Sequence, residues 1–449
     1  MFKKITNACV ALVQRYLPDP FLFAVILTFF VFIFGMIFTS QGPLPMVLHW
    51  SNGFWNLLAF SMQMCLVLLT GHTLANAPAF KNGLNAMAKI ANTPSQAILA
   101  VTFVSLIACW INWGFGLVVG ALYAMALAKR IKNVDYRLLI ASAYSGFIVW
   151  HAGLSGSIPL QIATAGPDIA RITNNAVIDP VSTSLTIFAP FNLIIALIII
   201  VTLPLLNMAM HPDADRTVAV DPELIKEEAV VEMKREDMTP ADKLENSVIL
   251  SMLIGLMGLV FIVHYFWTKG FALNLNIVNF MFLFAGIIMH KTPKKFLVAV
   301  KHAVIGTAGI MVQFPFYAGI MGMMMGKSPE GLSFAGVISQ FFVDVSTTTT
   351  FPLFAFLSAG IVNVFVPSGG GQWAVQAPIM MPAGAEIGVP AAKTAMAIAW
   401  GDAWTNMIQP FWALPALGIA GLGARDIMGY CIICMFYTGF IIGLGLMFL

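Results

Sequence analysis

Apolar residues in this sequence come in long uncharged blocks, not at the alternating spacing of a half-buried strand. Residues 20–80, 90–128 and 180–212 carry no Asp, Glu, Lys or Arg. A helix needs about 18 or more apolar residues to cross hydrocarbon, and around eight to ten segments reach that length. The pattern predicts an all-α polytopic membrane protein. The expected segments are about 20–40, 54–75, 94–128, 138–165, 183–208, 246–268, 276–290, 302–326, 350–385, 394–420 and 427–449. Lys3, Lys4 and Arg15 ahead of the run 21–38 loosely resemble a secretory leader. The run is too long for one and reads as a retained first helix.

Several blocks are interrupted by residues that a helix tolerates poorly. Pro367–Trp373 sets a proline, a serine and three glycines between the apolar runs Phe351–Val366 and Ala374–Ala385. Ile111–Gly116 interrupts 94–128, His151–Pro159 interrupts 138–165, and 394–420 is also broken. Broken backbone at membrane depth survives only where protein or a polar cavity satisfies its N–H and C=O groups. The regions about 94–129 and 350–385 therefore read as re-entrant hairpins, the alternative being ordinary surface turns.

Charge is segregated. Residues 213–245 hold eleven acids and five bases, sixteen of the 43 charged residues, and read as a solvated cytoplasmic linker. With the amino terminus inside and both hairpins re-entrant, fourteen of the eighteen Lys and Arg outside the linker fall on the cytoplasmic face, as the positive-inside rule prefers. Four fall outside: Arg171, Lys269, Lys327 and Lys393. The expected division is a first repeat over 1–212, the linker, a connecting span over 246–268 and a second repeat over 269–449.

The halves correspond at one fixed offset of 256 positions. Gly53 matches Gly309, Phe60 matches Phe316, Gly114 matches Gly370, Ala143 matches Ala399 and Pro159 matches Pro415. The hairpin tips also coincide, Asn112 with Ser368. The charge count places the two hairpins on opposite faces, so the duplication reads as an inverted repeat, with a site near the midplane.

That site would be built from the two tips and the two broken spans. Helices restarting after the tips aim their positive ends at the centre, favouring an anion. The candidate substrate contacts are Asn112, Trp113, Gly114, Gly116, Ser368, Gly369, Gly370, Gly371, Gln372, Asn406 and Gln409. Trp113, Trp373, Trp404 and Trp412 are candidates for an apolar wall. Of nine acids outside the linker, only Asp402 lies well inside an apolar span, where a carboxylate is expensive and usually functional. It either carries a proton or ligates Na⁺, or else braces the break at Thr405 and Asn406. Thr405, His151 and Ser155 complete the ion-coupling candidates, His151 being alternatively a packing residue. No Lys or Arg reaches the centre, which argues against a polyanionic substrate.

No metal-ligand spacing appears, Cys431 and Cys434 read as packing residues, and Ser368 has no nearby base. No catalytic residue, bound metal or organic cofactor is expected, and no nucleic-acid partner; H⁺ or Na⁺, the latter near the tips, is the expected coupling ion.

The segments Gly53–Phe60, Ile111–Gly116, Val312–Gly319, Val366–Gly371, Gln409–Pro415 and Arg425–Tyr430 resemble the short-chain fatty acid transporter family of bacteria, over nearly the whole chain. The resemblance implies uptake of short monocarboxylates such as acetoacetate or butyrate across the inner membrane. That family is similar to the wider superfamily of dimeric elevator carriers, which implies a homodimer with a scaffold and a mobile transport domain. A cation/proton antiporter, or a carrier of another small organic anion, remains the alternative.

Overall fold

A computed structural model of the chain describes residues 2–164, 167–221, 238–270 and 275–449. Residues 222–237 of the predicted linker lie outside the described residues, as do the side chains of Lys81, Asp168 and Arg171. The described residues form helices and connecting turns, with no strand among them. Among the described residues, seven helices are long and apolar enough to cross a bilayer, or eight if one bent pair counts as a span. The chain is a multi-pass membrane protein.

The first half begins with an amphipathic helix that the block pattern does not reveal, α1 (Phe2–Tyr16), ahead of the first span α2 (Pro20–Thr39). Next come α3 (Pro43–Gly53), α4 (Leu58–Ala75) and α5 (Pro78–Ala88). The stretch between the expected segments 20–40 and 54–75 is itself helical, and α3 meets α4 at a 47° bend. α6 (Pro94–Ile111) and α7 (Trp113–Arg130) follow. The predicted broken span is α8 (Tyr136–Ser145), a 3₁₀ segment Gly146–Ala152, and α9 (Ser157–Ile162). α10 (Pro167–Ile172) and α11 (Pro190–Ala209) close the half.

After the linker come α12 (Pro240–Glu245), α13 (Val248–Lys269), α14 (Leu275–His290), α15 (Pro293–Val304), α16 (Ala308–Met325) and α17 (Phe334–Asp344). The second pair of short helices is α18 (Phe351–Phe365) and α19 (Gly369–Ile387). The second broken span is α20 (Ala391–Thr405), a 3₁₀ turn Asn406–Ile408, and α21 (Pro410–Ala420), before α22 (Ala424–Phe448). Prolines at the first helical positions of α2, α5, α6, α15 and α21 start these helices without leaving an amide donor in an apolar medium.

Both predicted hairpins are antiparallel helix pairs. In the first, Gly116 lies against Cys109 and Gly120 against Ser105, so α7 retraces α6. In the second, the Gln372 amide donates to Ala359 O (2.8 Å) and Gln376 to Ser358 Oγ (3.1 Å), so α19 retraces α18. The starts of α5 and α17, and of α7 and α19, are 256 positions apart.

The helices pack as two groups. α2, α3, α4 and α13–α16 contact one another, while the hairpins, the broken spans, α11 and α22 form the second group. α1 lies along α22, and its Lys3 pairs with Asp213 at 2.7 Å, placing the amino terminus beside the start of the linker. The lysine's hydrogen bond holds the Asp213 carboxyl below the usual carboxylate range.

The first hairpin is clamped onto the first break by close backbone approach. Leu154 N donates to Trp110 O at 2.8 Å, and a Cβ on Gly153 would lie 2.0 Å from that oxygen. Gly153→Ala should therefore destabilise the protein by about 1–3 kcal/mol through enforced overpacking, read as a lower thermal unfolding midpoint in detergent. An unchanged midpoint would show that the clamp gives way without cost.

Candidate functional site

The two tips turn on the same device. Asn112 and Ser368 are both extended, with φ of −154° and −153°, and each caps the following helix with its side chain. Asn112 Oδ1 accepts from Phe115 N (2.9 Å) and Ser368 Oγ from Gly371 N (3.3 Å). These short polar side chains reach the first turn where an apolar residue cannot. At the first tip, Ser155 Oγ also accepts from Trp113 N at 3.0 Å. At the second, Gly369 N and Gly370 N have no acceptor among the described residues, and neither has Gly114 N at the first. Free amides at a helix start attract anions.

Behind the tips the broken spans cross. The Tyr144 hydroxyl donates to Asn406 O at 2.5 Å, and His151 Nδ1 lies 2.8 Å from Ala399 O. One span runs forward as the other runs backward, so they meet antiparallel. A carbonyl only accepts, so Nδ1 of His151 carries the hydrogen, and the neutral ring presents a bare lone pair at Nε2. That Nε2 is buried without a partner, beside Gly369: a Cβ there would stand 2.6 Å from it. Asp402 Oδ1 is 3.8 Å from His151 Nδ1, and both side chains are fully buried. Asn406 Nδ2 donates to Asp402 Oδ1 (3.2 Å), while Asp402 Oδ2 has no partner.

A polar network extends from Asp402 into the second hairpin. The Asn363 amide donates to Asp402 O, Thr405 Oγ1 and Asn406 Oδ1 at 2.9, 2.9 and 2.7 Å. Thr405 donates to Gly360 O (2.8 Å), and Gln409 to Val364 O (2.6 Å). Two carbonyls of α18, Gly360 O within the helix and Val364 O in its last turn, thus gain a donor from the break. Asn363 Oδ1, Gln372 Oε1 and Gln409 Oε1 remain buried and unpartnered.

The other side is aromatic. Trp113 lies edge-on to Trp412, centroids 5.2 Å apart, and Phe147, Trp150, Phe60, Phe411 and Phe314 continue the cluster. Trp150 stacks on His151 at 3.6 Å, joining the apolar wall to the polar crossing. The indole N–H groups of Trp150 and Trp412 have no acceptor among the described residues. Trp373 and Trp404 do not join this cluster: Trp373 is buried on the second hairpin, and Trp404 packs on Phe356 and donates to Met435 O.

The structure therefore brings together Asn112, Trp113 and Ser155 at one tip, Ser368–Gly371 and His151 at the other, and Asp402, Thr405, Asn406 and Gln409 at the second break. Gly116 serves helix packing against Cys109, and Gln372 bridges Ala359 and Gln376 within its own hairpin. Asn363, Gln376 and Tyr144 were missed by sequence reasoning. Asn363 and Gln376 carried a signal, as neutral amides inside apolar runs at membrane depth; Tyr144 carried none. No group of three or more His, Cys, Asp or Glu that could hold a metal occurs among the described residues. An apolar groove of about 370 Å³ between α13, α14 and α15 touches none of the site residues.

Comparison with known proteins gives a consistent result. The family model described as short chain fatty acid transporter matches residues 1–449. A protein of Escherichia coli K12, provisionally named a short-chain fatty acid transporter, is 46% identical over 99% of both chains. One of Haemophilus influenzae Rd with the same provisional name is 45% identical over 100% of both. Among solved structures, the Alcanivorax borkumensis YdaH transporter aligns with 96% of this chain and 97% of its own at 14% identity, with a TM-score of 0.42. That score is too low to support an argument.

Asn363 is the hub of the second break, and its removal strands several buried groups. A buried polar group left unsatisfied costs about 1–3 kcal/mol. Asn363→Leu is expected to lower stability by at least about 2 kcal/mol, measured by thermal unfolding in detergent, and more than Gln376→Leu at the network's edge. Equal effects would deny Asn363 that central place.

Proposed function

The chain belongs to the short-chain fatty acid transporter family, and we propose that it is an ion-coupled symporter for short-chain monocarboxylates such as acetoacetate or butyrate. The observation that carries this reading is the buried crossing itself. It offers unpaired amide donors at Gly114, Gly369 and Gly370, an aromatic wall, and no Lys or Arg side chain. Lys393 and Arg137 stand at the starts of α20 and α8, away from the breaks. One carboxylate with a short apolar tail suits such a place; a second carboxylate would lack a counter-charge.

The fixed offset between helix starts and the antiparallel crossing support two inverted repeats, each with a re-entrant hairpin and a broken span. On this reading the bacterial inner membrane holds the protein with its amino terminus and linker in the cytoplasm, following the charge census. Because His151, Asp402 and Asn406 are fully buried, substrate reaches them only by movement. The second packing group would move as the transport domain of an elevator, against a scaffold built from α2–α4 and α13–α16 that joins two copies. The coupling ion is H⁺ or Na⁺. The unpartnered oxygens of Asp402, Asn363, Gln372 and Gln409 also support a second reading, a cation/proton antiporter.

Reconstituted protein should accumulate labelled butyrate or acetoacetate in proteoliposomes under an inward pH or Na⁺ gradient, with succinate a poor competitor. Absence of uptake under either gradient, alongside Na⁺-driven proton movement without substrate, would replace symport by antiport.

A further inference from the structure

We infer that Nε2 of His151 is the point at which the carboxylate and its coupling proton bind together. The inference rests on the monocarboxylate reading and assigns its ion to one atom. The hydrogen bond from Nδ1 to Ala399 O (2.8 Å) fixes the ring. It leaves a lone pair at Nε2, fully buried and unpartnered. Nε2 faces Gly369, the first residue of α19, whose amide and that of Gly370 have no acceptor among the described residues. A side chain at 369 would fill this space, since its Cβ would sit 2.6 Å from Nε2 and 3.1 Å from Ser157 Cβ.

A bare lone pair and a carboxylate repel one another, so neither satisfies the other alone. A proton taken from water forms the Nε2–H bond, and the resulting imidazolium donates to the carboxylate, with the Gly369 and Gly370 amides as further donors. Proton and monocarboxylate together bring no net charge into the crossing. Asp402 Oδ1 faces the ring from α20, 3.8 Å from Nδ1. The other titratable groups on elements packed against His151 are Tyr144, bonded to Asn406 O; buried Cys109 on α6; Lys393 at the far start of α20; Tyr136 and Arg137 at the far start of α8; and Tyr123, Lys129 and Arg130 further along α7.

Two measurements on the full-length protein in detergent test this. With ¹⁵N-labelled histidine, adding butyrate should move one Nε2 resonance from the unprotonated to the protonated position, and His151→Gln should remove that resonance. In weakly buffered solution, butyrate should draw about one proton per molecule bound to the wild type, and His151→Gln should lose this uptake. Gly369→Ala should weaken binding at least tenfold. Butyrate bound without an Nε2 shift, or proton uptake lost in Asp402→Asn while the His151 resonance stays unprotonated, overturns the assignment and moves the proton to Asp402. Failure of the wild type to bind butyrate or acetoacetate at all overturns the monocarboxylate reading, and this assignment with it.

Discussion

Two helices interrupted inside an apolar medium must find partners for the carbonyls and amides that the interruption frees, because hydrocarbon offers none. In this protein they find them chiefly in each other and in the hairpin tips. Tyr144 from the first broken span bonds Asn406 O at the second break, and His151 bonds Ala399 O in return. The tips are held by the same groups: Leu154 N on Trp110 O, Ser155 on Trp113 N, Gln409 on Val364 O. The crossing is therefore a structural necessity before it is a site. The atoms it leaves unpaired are the ones open to a ligand.

The two halves solve this problem with different chemistry. Positions 256 apart pair Asp402 with Gly146, Gln409 with Gly153, Gln372 with Gly116, Gln376 with Gly120 and Asn363 with Ile107. The first half closes its hairpin by glycine contact, letting backbone meet backbone, as Gly116 does on Cys109. The second half bridges its hairpin with amides, Gln372 reaching Ala359 O and Gln376 reaching Ser358 Oγ. An exact twofold arrangement would present equal faces to a ligand. Here one face is small and aromatic and the other polar, as an amphipathic small molecule requires.

Much of this was legible in the sequence because breaks in apolar blocks are conspicuous. Asn112 and Ser368 were found through the shared offset, and both are helix caps of matching geometry. Asp402 was conspicuous as a charge within an apolar run. Less legible was anything depending on which atoms face inward. Asn363 is a neutral amide among many, and only its three acceptors identify it as a hub. Trp113, Trp373, Trp404 and Trp412 are alike in a sequence, yet helix rotation sends two into the aromatic cluster and two elsewhere. α1 escaped notice because its apolar residues follow one face of a helix that is not a long apolar block.

The attachment of each tip to the break of its own half has a mechanical consequence. Hydrogen bonds are directional and hold tip and break in register, so the hairpins and broken spans form a unit that carries its site with it. Across the boundary with α2–α4 and α13–α16 the contacts are of another kind. Phe60 stacks on Phe411, Phe314 on Phe411, and Phe115 meets Phe282 at 6.0 Å. Such contacts depend on buried area more than on direction, so one ring could replace another if the surfaces slid. On the proposed elevator reading, bonds hold the site together and stacks let it pass its neighbours.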